Sequence, residues 1–260
     1  MSALGSVYQE GEPYCGRSNN TGSSGIVQAN ANRAGTAAAQ ERPAVFSGIL
    51  PSDYTRISAA ARVKEFARGE MLCIEGDTVQ QIYLLIAGFV KTTQVGLSGM
   101  EVILKLSAPG DVVGAVGLFS AGKHLRTAQA FRLCRALVWE ASAFKSLVER
   151  YPVLHQNMLR VLGKELMELE ERFHEVATER VGPRVARQLV RLQDKIGRLN
   201  NGVLEIGLSR EELAQMTGTT LFTVSRLLSA WEAGGVVRCR REAVAICDVP
   251  ALRAMSEERS

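Results

Sequence analysis

The sequence predicts an α+β fold in three parts: a jelly-roll-like β-roll, one long helix and a small winged helix-turn-helix. Three observations carry this. Short apolar stretches separated by glycine turns fill residues 76–139, apolar residues recur at steps of three and four from Leu159 to Val176, and residues 210–229 read as two short amphipathic helices around a glycine. The 260 residues are enough for two compact cores, since single cores cluster near roughly 100 to 150 residues. This predicts an N-terminal arm over 1–44, a β-roll over 45–150, a dimerisation helix over 151–181 and a winged helix-turn-helix over 182–260.

The stretch "GRSNNTGSSGIVQANANRAGTAAAQ" has too few apolar residues to offset the entropy of ordering, so it reads as a disordered arm. From Val45 the pattern changes to a short helical entry and a first strand ending at Glu75-Gly76-Asp77. "IYLLIAGFVKTTQV", "EVILKLSAPGDVVGAVGLF" and "TAQAFRLCRALVWE" then supply strands, with tight turns at Ser98-Gly99 and Pro109-Gly110-Asp111.

A helix over 152–178 follows. Its Leu159, Leu162, Leu166, Leu169, Phe173 and Val176 form a narrow heptad seam, which pairs best with a second copy of itself. The flanking Lys164, Glu165, Glu168, Glu170, Glu171 and Arg172 read as solvated, and a helix packed on its own domain is the alternative. Gly182-Pro183 predicts an interruption, because proline lacks the backbone donor, and a hinge over 178–183. A second helix, "RVARQLVRLQDKIGR", and a loop, "LNNGVL", come next.

"REELAQMTGTTLFTVSRLLS" carries its own boundaries. Ser209 and Glu212 form a capping box, Leu208 and Leu213 a hydrophobic staple, Ala214 is small where the helices cross, and Gly218 suits the left-handed turn. The second helix presents Thr219, Thr220, Leu221, Phe222, Ser225 and Arg226, of which Arg226 suits guanine O6 and N7. With Ser209 and Arg210 at the start of the first helix, and Arg238, Arg240 and Arg241 in the following hairpin, these are the candidate DNA contacts. Charge agrees: from Thr178 onward 13 Lys and Arg face 10 Asp and Glu, so most of the net charge of +4 lies in this third.

Other classes find little support. No P-loop, H-E-x-x-H or nucleophile elbow is present, so no enzyme is expected. Five scattered cysteines, with no C-x2-C pair, predict reduced thiols and no metal site. With neither a secretory leader nor a membrane span, the protein is expected in the cytoplasm. A cyclic-nucleotide-binding signalling module without direct DNA contact is the runner-up.

Over residues 45–255 these motifs resemble the Crp/Fnr family of transcription regulators. The carriers are "GDVVGAVGLFSAGKHLRTAQA", similar to the family's phosphate-binding cassette, the long helix, and "TTLFTVSRLL", similar to its recognition helix. The resemblance implies a homodimer on a near-palindromic double-stranded DNA site, contact with RNA polymerase, and an effector pocket at Gly114, Ala115, Val116, Arg126, Thr127 and Leu169. The family's activator branch has Gly-Glu where this chain has Gly114-Ala115, and Leu169-Glu170 replaces its adenine-reading Thr-Ser pair, so cyclic AMP is not expected. Cys15 stands alone, so no iron–sulfur cluster is expected, and the carbon-monoxide branch's haem ligands are missing at Gly114 and Val116. Haem held by His124, His155 or His174 stays open, and the effector is unknown. Phe222 replaces a glutamate common in the family, which implies altered base preference at that position.

Overall fold

The computed structural model describes residues 42–200 and 202–257; the arm expected over 1–44 falls almost wholly outside them. A 3-10 turn at Ala44–Phe46 and helix α1 (Pro51–Ala59) lead into strands β1 (Arg62–Phe66), β2 (Met71–Cys73), β3 (Gln81–Ala87), β4 (Val90–Val95), β5 (Glu101–Ser107) and β6 (Val112–Val113). A short helix, α2 (Ala115–Phe119), precedes β7 (Thr127–Ala130) and β8 (Cys134–Glu140). The strands form two antiparallel sheets, ordered β1-β8-β3-β6 and β2-β7-β4-β5.

Strand β3 explains the arrangement. Tyr83 and Leu85 face a core between the sheets with Phe66, Val90, Ala128 and Ala136, while Ile82 and Leu84 face the opposite way. Both faces are buried, hence the unbroken apolar run "IYLLI" in place of an alternating pattern. Over the second face lie α1, α3 (Ala141–Arg150) and the start of α4 (Pro152–Thr178), with Phe46, Ile57, Trp139, Phe144, Leu154 and Met158 in one cluster. The Trp139 indole donates to the Ile57 carbonyl at 2.8 Å, so the largest buried side chain leaves no orphaned donor. Gly88 is required by geometry. Its φ is +76°, and a side chain there would meet the Leu133 carbonyl at 2.2 Å.

Helix α4 ends at Thr178, and α5 (Val181–Ile196) begins after two intervening residues. The interruption expected at Gly182-Pro183 thus falls earlier, at Glu179-Arg180; Pro183 sits in the first turn of α5, where a missing amide hydrogen costs little. Arg184 fastens this junction. Its Nε donates to the Thr217 carbonyl at 2.8 Å, and Nη1 to the carbonyls of Glu179 at 3.1 Å and Val176 at 3.4 Å.

The C-terminal part contains β9 (Arg198–Asn200), β10 (Val203–Ile206), α6 (Arg210–Thr217), α7 (Leu221–Ala233), β11 (Val237–Arg240), β12 (Ala243–Ile246) and α8 (Val249–Glu257). Of the stretch expected as a loop, Leu199 and Asn200 lie instead in β9, and Val203 and Leu204 in β10; the two strands complete an antiparallel sheet ordered β11-β12-β10-β9. The apolar partners on β12 lie far downstream, beyond the reach of local pattern. Leu189, Leu213, Val224, Val244 and Leu252 form the core, and Ile103, Leu106 and Phe131 of the β-roll enter the same cluster. The two halves therefore share buried apolar surface, at about 25 cal/mol per Å² removed from water.

Candidate nucleic-acid interface and sensor pocket

The helix-turn-helix forms from the local signals in its sequence. Ser209 Oγ accepts from the Glu212 amide at 3.1 Å, and the Ser209 amide donates to Glu212 Oε2 at 2.7 Å, so two otherwise orphaned donors are satisfied at the start of α6. Helix α6 stops at Gly218, whose φ of +59° is left-handed. Thr220 then caps α7 by accepting from the Thr223 amide at 3.2 Å.

This geometry decides which face of α7 is free. Val224 and Leu228 turn into the core, Ala214 is buried beneath the crossing, and Leu221, Phe222 and Arg226 are exposed, with Phe222 at 74%. Ser225 and Thr219 are half-buried beside them. The hydroxyls of Ser209 and Thr220 are engaged in capping, and each helix N-terminus is left to offer backbone donors. In the hairpin β11–β12, Arg238, Arg240 and Arg241 are exposed; Arg240 lies 3.4 Å from the half-buried Glu205.

Two clefts adjoin the long helix. The first lies between the β-roll and the long helix and is lined by Lys105, Gly114, Ala115, Val116, His124, Arg126, Leu162 and Glu165, among others. Four of the six residues expected in an effector pocket meet here. The other two do not: Thr127 Oγ1 accepts from the Glu75 amide at 3.1 Å, and Leu169 lines the neighbouring cleft. Gly114, at φ +93°, brings the backbone within reach of His124, since a side chain there would lie 3.4 Å from the imidazole. Burial lowers the His124 pKa below its ordinary 6.5, with Asp77 opposing. Arg126 Nη1 is held by Glu165 Oε1 at 2.7 Å, with both side chains less than one-fifth exposed. His124, His155 and His174 meet no metal-binding cluster among the described residues.

The expectation that the flanks of the long helix are solvated fails at two positions. Glu165 closes onto Arg126, and Arg172 donates to the Leu104 carbonyl at 2.6 Å while burial lowers its pKa. Local periodicity cannot show that a strand from the β-roll covers this side of the helix. Sequence reasoning also missed the contacts that dock the helix-turn-helix on the β-roll. Arg132 Nη2 donates to the Gly207 carbonyl at 2.7 Å, Gln215 Nε2 to Glu101 at 3.1 Å, and Arg68 pairs with Glu242 of the hairpin turn at 3.0 Å. Each joins residues more than 70 positions apart.

A strand-built domain joined by a long helix to a winged helix-turn-helix defines a DNA-binding transcription regulator. The comparisons agree with that class. The cyclic nucleotide-binding domain family matches residues 63–151, and the Crp-like helix-turn-helix domain family matches residues 183–255. A CRP-like cAMP-activated global transcriptional regulator of Mycobacterium tuberculosis is 28% identical over 209 residues, covering 80% of this chain and 93% of that protein. The cyclic AMP receptor protein of Thermus thermophilus is 28% identical over 195 residues, covering 75% and 88%. Among solved structures, a Crp/Fnr-family transcriptional regulator, also from Thermus thermophilus, superposes with a TM-score of 0.67 at 22% identity, covering 76% of this chain and 100% of that one. A c-di-GMP-responsive global regulator from Xanthomonas campestris gives 0.66 at 20% identity, covering 75% and 98%. These two likenesses support the fold. The chain belongs to the Crp/Fnr family of DNA-binding transcription regulators. No helix among the described residues is long and apolar enough to cross a membrane.

Proposed function

We propose that the protein regulates transcription in the cytoplasm as a homodimer on a near-palindromic double-stranded DNA site, with its two α7 helices in successive major grooves about 34 Å apart. The observation that carries this is the exposed face of a capped helix, Leu221, Phe222, Ser225 and Arg226, beside a hairpin bearing Arg238, Arg240 and Arg241. Arg226 bonds guanine, Phe222 packs on a thymine methyl, and the hairpin arginines follow the phosphates, as do Ser209, Arg210, Thr219 and Thr220 at the helix starts. Dimerisation is supported by the α4 stripe: Leu159, Leu166, Phe173 and Val176 are exposed, with Phe173 at 75%, and Leu162 and Leu169 border it. Family membership supports the same proposal for contact with RNA polymerase.

The effector binds in the β-roll cleft and biases the dimer between two arrangements of its DNA-binding parts. Its identity is open, but Ala115 supplies no carboxylate to a ribose, and Arg126 is engaged by Glu165, so cyclic AMP is not our candidate. The test is selection of bound sequences from a random DNA pool with wild type and Phe222→Glu, each with and without added cyclic nucleotides. A two-fold symmetric consensus that shifts toward cytosine at one position per half-site in the variant supports the reading. No enrichment under any condition sinks it.

A further inference from the structure

The second cleft lies where the β-roll, the long helix and the DNA-binding part meet, between β5, α4 and α5. Five cations line it: Lys105, Arg126, Arg172, Arg191 and Lys195. Two are neutralised, Arg126 by Glu165 at 2.7 Å, and Arg191 by Glu175 and Glu171. The remaining wall carboxylate, Glu168, faces Lys164 at 3.8 Å. Lys105, Arg172 and Lys195 have no carboxylate within 4 Å among the described residues.

These three charges crowd one another. Burial lowers the Lys195 pKa, and Lys105 and Arg172 lower it further, against Asp111 and Glu168. The residue is nevertheless exposed, which places it at the mouth. Arg172 lies deeper; burial lowers its pKa first and Arg191 adds to this, against Glu175, Glu168 and Glu171, and among the described residues its guanidinium, with five N–H donors, hydrogen-bonds only the Leu104 carbonyl. Unused donors on Arg172 and three cations with no carboxylate in ion-pairing reach leave the cleft able to offer hydrogen bonds and charge to an anion.

We propose that this junction is a second ligand site, adjoining the β-roll effector pocket across Lys105, Arg126 and Glu165, which line both, and that it takes a compact anion carrying at least two negative charges through Lys105, Arg172 and Lys195. Phosphate and carboxylate groups both satisfy this chemistry. Because the three cations come from β5, α4 and α5, such an anion ties together all three parts of the chain and stabilises the docked arrangement.

The test is calorimetric titration of the dialysed full-length protein, without DNA and at fixed ionic strength, using inorganic tripolyphosphate in one arm and citrate in the other. One saturable site per chain is expected, weakened at least tenfold by Lys195→Met, by Lys105→Met and by Arg172→Met. Lys145→Met, on α3, and His124→Gln, in the β-roll pocket, leave it unchanged. Saturable binding of tripolyphosphate alone assigns phosphoryl chemistry, of citrate alone carboxylate chemistry, and of both a site read by charge. Should Arg172→Met fail to fold, the two lysine variants decide the matter. Absence of saturable binding in both arms overturns the proposal, as does binding that the lysine variants leave intact or that His124→Gln abolishes. None of these readouts depends on DNA, so the DNA-binding reading stands or falls separately.

Discussion

Arg126 of the β-roll and Glu165 of the long helix form an ion pair of 2.7 Å on the wall shared by the two clefts. The pair couples the sensor sheet to the helix, and it neutralises the arginine that an anionic effector in the β-roll would otherwise meet. A double-mutant cycle with Arg126→Gln and Glu165→Gln, read by denaturant unfolding, should give a coupling of about 1–2 kcal/mol, toward the lower end for a charged hydrogen bond because the pair is not fully dry. Glu165→Gln alone should raise affinity for phosphate-bearing ligands in the β-roll pocket. Zero coupling would make the pair incidental.

The thiols nearest the sensor core are poorly suited to redox signalling. Burial pushes Cys73 and Cys134 up to about 11. At pH 7.5, iodoacetamide should label these two at least about 100-fold more slowly in the native protein than in the denatured chain, because the thiolate is the nucleophile. Peptide-level mass spectrometry reads this directly, and native rates equal to denatured rates would contradict the buried placement.

His124 supplies a pH signature. Its pKa is lowered by burial, so the unfolded chain takes up the proton first as pH falls. Stability from this residue is therefore undiminished above the ordinary histidine pKa of 6.5 and declines as pH drops from there toward the folded value. Melting temperatures between pH 7.5 and 5 should fall less steeply in His124→Gln than in wild type. Parallel curves would count against the assignment.

Two glycines separate backbone conformation from crowding. Gly88 and Gly99 share left-handed φ values of +76° and +79°, but only at Gly88 does a side chain collide, at 2.2 Å from Leu133 O. Gly99→Ala should cost about 1 kcal/mol, the ordinary penalty of that conformation. Gly88→Ala should cost on the order of 3 kcal/mol or more and reduce soluble yield. Similar losses in urea unfolding would rule out the close approach.

What could be read in advance was what the chain encodes locally. The Ser209–Glu212 box and the turn at Gly218 concern residues three or four apart, and both stand in the structure as the sequence predicts. The 27-residue helix was equally plain from its apolar steps. Thr127 and Leu169 were misplaced because a pocket's lining depends on which way each side chain leaves its strand or helix, and an alignment with a family motif does not fix that. Arg172 was assigned to solvent because a guanidinium on a polar flank looks identical whether or not a distant strand supplies a carbonyl such as that of Leu104. The β9–β10 pair escaped for the same reason: its sheet partner, β12, begins 37 residues after β10 ends.

Arg184 has a mechanical consequence. One guanidinium grips the end of the long helix, the connection that follows it and the turn of the helix-turn-helix. A joint fastened at three points transmits torque. At 1.5 Å per residue the long helix is a rod of about 40 Å, and tilting it by about 5° sweeps its far end through about 3.5 Å. The base of that rod cannot turn without taking Thr217, and with it the seat of the recognition helix, along. In the proposed dimer, a tilt of that size at the β-roll becomes an offset comparable to the spacing of adjacent base pairs, enough to bring two copies of α7 into or out of step with the DNA.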